Sequence, residues 1–536
     1  MKKDMKKVVD RVLEKYPAKT FKNRKTHIVI KTAEDPSPVI QANVRTIPGI
    51  ITSRGCCYAG CKGVVMGPIK DMIHITHGPI GCAYYTWGTR RNKARLEKGG
   101  RNFIDYVFST DMQDRDIVFG GTKKLTQAIK EAVEIFHPKA IGIYATCPVG
   151  LIGDDINAVA AEATALYGID VLAFNCEGYK GVSQSAGHHI ANNVLFSSIM
   201  GKGNKERKKY SVNILGEYNI GGDAWEMDRI LEKIGYNVVA TLSGDASLDS
   251  IENAHTAEVN VVQCHRSINY IAEMMETKYG IPWIKGNFIG VTSTIETLRN
   301  LAKCFDDPFI SERTEVVIAE ELSEIEGEVA YYREKLQGKT AMLYVGGSRA
   351  DHYQRLLADF GIETIVAGFE FAHRDDYEGR QVIPSIKLDA DSKNIPHITV
   401  EKDESKYHLT MTPERYEALK SEGVPLAYYG GMIKTLNENA IMVDDLNHHE
   451  IDELIKSLNP DMFLSGIKEK YSVQKMGVLS RQLHSYDYIG PYAGFRGALV
   501  FARGLEAGIY TPAWKYVTPP WKTEPMLEGK VVGGEE

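Results

Sequence analysis

The sequence predicts an α/β protein of three doubly wound parallel-sheet (Rossmann-like) domains. The main reason is one unit that recurs three times: a short apolar run, a glycine-containing loop, a helical pattern and a second apolar run. Length agrees, because 536 residues give room for three or four domains of about 150 residues each. Composition agrees too. With 43% hydrophobic and 25% charged residues the chain is ordinary globular material, which excludes disorder and fibrous structure.

The elements follow in chain order. A charged amphipathic helix at Met5–Glu14 ends before Pro17, and a polar, proline-containing segment runs on to about residue 50. The first unit has a strand at 140–146, a turn at 148–153 and a helical stripe of Ile156, Val159, Ala160 and Ala163. Gly168 and a strand at 171–174 complete it. The second has a strand at 212–215, Gly221-Gly222, a helix at 225–234, Gly235 and a strand at 238–240. The third has a strand at 341–345, Gly346-Gly347, a helix around 353–360, Gly361 and a strand at 364–367. Boundaries in the polar stretch 201–209 and near 337–339 divide the chain into residues 1–208, 209–337 and 338–536. Residues from 380 to about 430 are charged, aperiodic and carry Pro384, Pro396, Pro413 and Pro425. They read as an insertion in the third domain, with no function legible in them.

Several partner classes are excluded as expectations. Lys and Arg number 64 against 70 Asp and Glu, a net charge of −6, and no basic block forms a nucleic-acid arm. Residues 1–25 are charged throughout and lack the apolar core of a secretory signal. The longest stretch without a formal charge, 181–201, contains Gln184, His188, His189, Asn192 and Asn193, too polar for a bilayer, and the apolar stretch 140–153 is too short. The expectation is a soluble, cytoplasmic protein with no nucleic-acid and no membrane partner. Neither a G-x-x-x-x-G-K-[ST] loop nor a full dinucleotide fingerprint at 216–223 is present, so no ATP or NAD site is expected.

The 8 cysteines are too few for a disulfide scaffold, and taken singly they read as small buried hydrophobes. Their positions argue otherwise. Ligands of parallel α/β sheets bind beyond the carboxyl ends of the strands. At those exits stand Cys147, Cys264, the Gly346-Gly347-Ser348-Arg349 loop, Gly466 with Lys468, and His484. A site shared between the domains accounts for this better than packing does. Zinc on Cys57, Cys61, His74 and His77 is disfavoured, because only two residues separate the histidines and Gly78-Pro79 stops any helix behind them. No compact ferredoxin run occurs either. What remains is cysteines far apart in sequence, each near glycine: Arg54-Gly55-Cys56, Gly81-Cys82 and Cys147-Pro148-Val149-Gly150. Glycine lets the backbone approach a bulky cluster. Three ligands are one short of the usual cubane set, so a second chain is expected to complete the site.

Arg54-Gly55-Cys56, the run from Gly67 to His74, the run from His77 to Cys82, Gly150 to Asp155, Gly181 to His189 and Gly466 to Lys470 together resemble the α subunits of nitrogenase component 1 (dinitrogenase). The likeness covers nearly the whole chain in order, apart from the insertion near 380–430, where one branch of the family carries extra residues. The resemblance implies that the three domains surround a buried metal cofactor. It implies that Cys56, Cys82 and Cys147 ligate an [8Fe–7S] P-cluster completed by the β subunit of an α2β2 heterotetramer. It also implies that Cys264 and His484 hold an iron–molybdenum cofactor, [7Fe–Mo–9S–C] with homocitrate. Cofactor and homocitrate are anionic, which gives Arg90, Arg349 and Lys468 a physical reason to be there, and Gly346 and Gly347, in the loop that carries Arg349, are implied as cofactor-binding too. Gln184 is implied near homocitrate, His188 against the cofactor as a proton donor, and Val64 over the reactive face. If the segment is helical, His188 and His189 point about 100° apart and only one can face the site. Cys57, Cys61, Cys176 and Cys304 keep structural roles.

The activity so implied is reduction of dinitrogen to ammonia with hydrogen evolution, using electrons from an ATP-hydrolysing iron protein that docks transiently. A cofactor-assembly scaffold paralogue generally lacks the histidine, and a tetrapyrrole reductase would not need Cys264 and His484 together with Gly-Ile-Lys-Glu-Lys. That loop, Phe369 to His373 and His484 to Tyr488 look like the molybdenum branch rather than the vanadium or iron-only ones. Tyr486, where many relatives have Trp, is a departure that keeps an aromatic ring.

Overall fold

The computed structural model describes residues 4–42, 55–88, 92–95, 100–181, 183–346, 348–380, 395, 398–466 and 469–522. After a short strand β1 (Ile28–Ile30), the first sheet is built from β2 (Met72–His77), β3 (Phe108–Ser109), β4 (Ala140–Ala145) and β5 (Asp170–Phe174). Its strands are all parallel, in the order β3-β2-β4-β5. The second sheet takes β6 (Ser211–Glu217), β7 (Asn237–Ser243), β8 (Val259–Val262) and β9 (Trp283–Lys285), parallel in the order β7-β6-β8-β9. The third takes β10 (Thr340–Gly346), β11 (Glu363–Glu370), β12 (Ile441–Asp444), β13 (Met462–Ser465) and β14 (Leu479–Gln482), in the order β12-β11-β10-β13-β14. Every residue of β4, β6 and β8 is buried, as parallel strands covered on both faces require. The crossover helices Ile156–Tyr167, Asp223–Ile234 and Arg349–Asp359 lie where the repeated unit puts them.

The structure differs from the sequence reading in three places. Residues 148–153 are not a plain turn. Cys147–Ile152 is a short helix, because Pro148 suits a helical first turn where no amide donor is needed. Residues 4–30, grouped with the first domain by their order in the chain, pack on the third sheet instead. There β1 pairs antiparallel with β12, Ile28 opposite Val443, and helix Met5–Glu14 buries Val8, Val9, Val12 and Leu13 against Ile451, Leu454 and Ile455. A buried ion pair, Arg24 Nε to Glu450 Oε1 at 2.7 Å, fastens this segment down. The described part of the insertion lies along the second sheet although it comes after β11 in sequence. Ala427 N–H donates to Trp283 O at 2.9 Å and Lys285 N–H to Pro425 O at 3.1 Å, so the segment covers the β9 edge.

One close backbone approach sets the positions of Val64, Gln184 and His188. The segment Ala59–Met66 winds in wide π-type turns and crosses helix Gln184–Ser198 nearly backbone to backbone. A Cβ on Gly60 would stand 2.0 Å from Gln184 O, and one on Gly187 would stand 1.9 Å from Cys57 O. Only glycine fits at either crossing point. Gly187→Ala is expected to lower the melting temperature of the purified complex, overpacking here costing about 1–3 kcal/mol. An unchanged thermal transition would contradict this account of the crossing.

Candidate metal-cluster sites

The carboxyl ends of the second and third sheets face one internal cavity. Ile220 reaches it from beyond β6, Cys264 from beyond β8, Gly346 and Arg349 from β10, Phe371 from β11 and His484 from β14. Helix Gln184–Ser198 adds Gln184 and His188, and the π-type segment adds Val64. Seven of the residues singled out in the sequence are thus brought together: Val64, Gln184, His188, Cys264, Gly346, Arg349 and His484. Arg90, Gly347 and Lys468 lie outside the described residues. Of the adjacent histidines, His188 faces the cavity, while the His189 ring packs against Tyr270 with centroids 5.0 Å apart.

Cys264 is the N-cap of helix His265–Tyr279, just past the end of β8. Burial alone would raise its thiol pKa. Hydrogen bonds from Ser267 and the Ser348 backbone, together with the Arg349 charge, outweigh that and hold it below the usual value. Ser348 Oγ lies 3.7 Å from Cys264 Sγ. The His484 ring has a glycine at each nitrogen. A Cβ on Gly346 would be 3.6 Å from Nε2, and one on Gly466 would be 3.2 Å from Nδ1. A thiol with a lowered pKa, an imidazole flanked by two glycines and a buried cation suit an anionic, thiophilic metal group.

Two buried ionic networks hold this cavity in shape. Arg266, two residues past Cys264, donates from Nε to Asp376 Oδ2 at 2.8 Å and from Nη2 to Asp375 Oδ1 at 2.5 Å. His265 Nε2 lies 2.7 Å from Asp376 Oδ1. These bonds tie the exit of β8 to the exit of β11. The second network surrounds Arg349, whose Nη1 donates to Tyr486 OH at 2.7 Å and whose Nη2 lies 3.5 Å from Glu217 Oε2. Tyr486 OH donates to Asp223 Oδ2 at 2.5 Å. Glu217, Asp223 and the Tyr486 hydroxyl were not singled out in the sequence. The available signal was a pair of acidic residues directly after an apolar strand, in the loop weighed only as a nucleotide fingerprint.

The three other cysteines lie at the surface. Cys56 and Cys147 are exposed and Cys82 is half-buried. A Cβ on Gly178 would meet Cys147 Sγ at 2.8 Å and Cys56 Sγ at 3.6 Å, so these two thiols flank one glycine. Burial raises the Cys82 pKa, and the neighbouring Cys56 and Cys147 raise it further, which brings all three into one electrostatic neighbourhood. Exposed thiols are unusual for free cysteine, and here exposed apolar side chains stand on the same helices: Ile80 and Tyr84 beside Cys82, and Leu151, 77% exposed, beside Cys147. Cys57, Cys61, Cys176 and Cys304 are buried, and burial pushes their thiols up. The zinc alternative fails on its histidines. His74 bonds Tyr144 OH and Ile69 O, and His77 bonds Thr110 Oγ1 and Asp154 Oδ2, which uses every ring nitrogen.

The family model described as nitrogenase component 1 type oxidoreductase matches residues 56–509. The nitrogenase molybdenum-iron protein alpha chain of Clostridium pasteurianum is 67% identical over 527 residues, 98% of this chain and 99% of that one. The corresponding chain of Methanosarcina barkeri is 52% identical over 522 residues, 97% and 98% of the two chains. A solved structure of nitrogenase Cp1 at pH 6.5 superposes with a TM-score of 0.93 at 67% identity, covering 96% of this chain and 100% of that chain. The chain belongs to the nitrogenase component 1 family of oxidoreductases. Within that family its full-length likeness is to the molybdenum-iron alpha chains, so it is an α subunit of the catalytic kind and not a scaffold paralogue. An α subunit implies a partner chain, and the family implies bound metal clusters. No helix among the described residues is long and apolar enough to cross a membrane.

Burial raises the Glu217 carboxyl to about 7, from 4.5 for a free side chain. A raised carboxyl pKa stabilises the fold fully below the free value, and that contribution is lost as pH climbs to the folded value. The wild-type complex is therefore expected to lose stability relative to Glu217→Gln between about pH 4.5 and pH 7, with no further change above. Melting curves of both proteins across that range check it, and a difference independent of pH would contradict it.

Proposed function

We propose that this chain is the α subunit of a molybdenum nitrogenase that reduces dinitrogen to ammonia and evolves hydrogen. The observation that carries the reading is the meeting of Cys264 and His484, 220 residues apart in sequence, at one internal cavity with Arg349 beside them. In this reading Cys264 and His484 hold the iron–molybdenum cofactor with its homocitrate, and bound there it supplies the multi-electron reduction chemistry. Cys264 offers its sulfur, and its serine hydrogen bonds lower the thiol pKa. Arg349, with Arg90 and Lys468, offsets the anionic charge, and the backbone of Gly346 borders the space the group needs, with Gly347 next to it in sequence. Gln184 orients homocitrate through its amide. His188 carries a proton on an imidazole nitrogen and donates it toward the reacting face. Val64 narrows access to that face.

Cys56, Cys82 and Cys147 are read as one half of the P-cluster, with the β subunit of an α2β2 heterotetramer supplying the other half. Their exposure among apolar side chains supports a partner at that face. Electrons would enter from a transiently docked iron protein that hydrolyses ATP. We also read the protein as cytoplasmic, because a reducing compartment suits clusters held by free thiols.

His484→Ala is expected to leave the P-cluster formed and to lose the molybdenum cofactor, measured as molybdenum content and ammonia production with iron protein and MgATP. Retention of both would refute the assignment. Cys82→Ala should alter the P-cluster's spectroscopic signature while molybdenum stays bound, and an unaltered signature would count against its role.

A further inference from the structure

Behind the Cys264 loop lies a second cavity, of about 540 Å³, within the range of about 300–1,000 Å³ typical of small-molecule sites. The β9 edge and helix Val291–Phe305 form its inner wall, and residues 420–434, the end of the insertion and the few residues after it, form its outer wall. Two polar groups line it without a hydrogen-bond partner: Ser293 Oγ, on a residue 2% exposed, and the amide nitrogen of Asn287. Buried polar groups left so cost about 1–3 kcal/mol each, and both can donate to a ligand.

The lining carries four cations, Lys285, Arg355, Lys420 and Lys434, against three carboxylates, Glu296, Asp351 and Asp376. Its carboxylates are already committed to cations or histidine: Asp376 to Arg266 and His265, Glu296 to Arg355 at 3.2 Å, and Asp351 to Arg355 at 3.8 Å. Lys285 Nζ donates to Gln263 O at 2.6 Å and Gly286 O at 2.8 Å, and Lys434 Nζ to Tyr428 OH at 2.9 Å, which spreads their charge without neutralising it. Lys420 stands exposed at the rim, with Glu417 outside the lining as its salt-bridge partner. Among the described residues, no carboxylate of the lining bonds to any of these three lysines. A pocket rich in donors and cations, with its acids spent, favours an anion.

We propose that this cavity binds a small organic or inorganic oxyanion, carboxylate or phosphate, and that the insertion serves to build its outer wall. The inference goes beyond the nitrogenase reading and stands or falls separately from it, since binding is measured without turnover. The test is calorimetric titration of the purified holo-complex with succinate in one arm and inorganic phosphate in the other. One saturable site per α chain for at least one probe is expected, and the arm that binds identifies the headgroup. The Lys420→Glu, Lys434→Glu double variant, altered only at exposed positions, should weaken that binding by about tenfold or more. Ser293→Ala should weaken it several-fold while the melting temperature holds. No saturable binding of either probe at millimolar concentration would overturn the proposal, and so would binding that the charge reversal leaves unchanged.

Discussion

The architecture depends on a buried ionic tie between two strand exits. Parallel sheets collect their loops at the carboxyl ends of the strands, so a site built from two sheets exists only if those ends are held face to face. Arg266 does this by bonding Asp375 and Asp376 from the residue but one after Cys264. All three side chains are buried, so losing one partner would strand the others in low dielectric, at about 3–5 kcal/mol. The Arg349 network does the same between the exits of β6, β10 and β14 through Glu217, Asp223 and Tyr486. The cavity is therefore shaped by charge pairs at its edge, and Arg349 both belongs to one of them and lines the cavity.

The two cysteine groups have opposite environments. Cys264 lies in the interior, with serine donors that lower its thiol pKa and an arginine nearby. Cys56 and Cys147 lie on the outside with apolar neighbours, which is costly in an isolated chain and sensible where a second subunit covers them. The glycine crossing of Ala59–Met66 with Gln184–Ser198 connects the two regions. Cys56 and Cys57 precede that segment, Val64 lies within it, and Gln184 and His188 ride on the helix it crosses.

Much of this was legible in the sequence because it is local. Strand, glycine and helix succeed one another within 20 to 30 residues, and a strand exit is simply the next residue, so Cys264, Arg349 and His484 could be placed before any coordinates. What stayed hidden depends on long-range pairing. β1 is separated from β12 by some 400 residues, and nothing in Ile28–Ile30 says which sheet edge it joins. The insertion looked like part of the third domain because it comes after β11, whereas its hydrogen bonds go to Trp283 and Lys285 of the second. Tyr486 read as a substitute aromatic. Its hydroxyl is what matters, since it lies between Arg349 and Asp223. Arg90, Gly347 and Lys468 remain sequence-based assignments.

In the proposed function, Cys264 and His484 jointly hold one molybdenum-containing cofactor in the internal cavity. The direct measurement is anomalous diffraction from crystals of the purified complex, recorded at the molybdenum and iron absorption edges. One molybdenum peak per α chain is expected beside the His484 ring, joined to a compact group of iron peaks that ends at Cys264 Sγ. Molybdenum located away from that cavity, or iron there with no molybdenum, would contradict it.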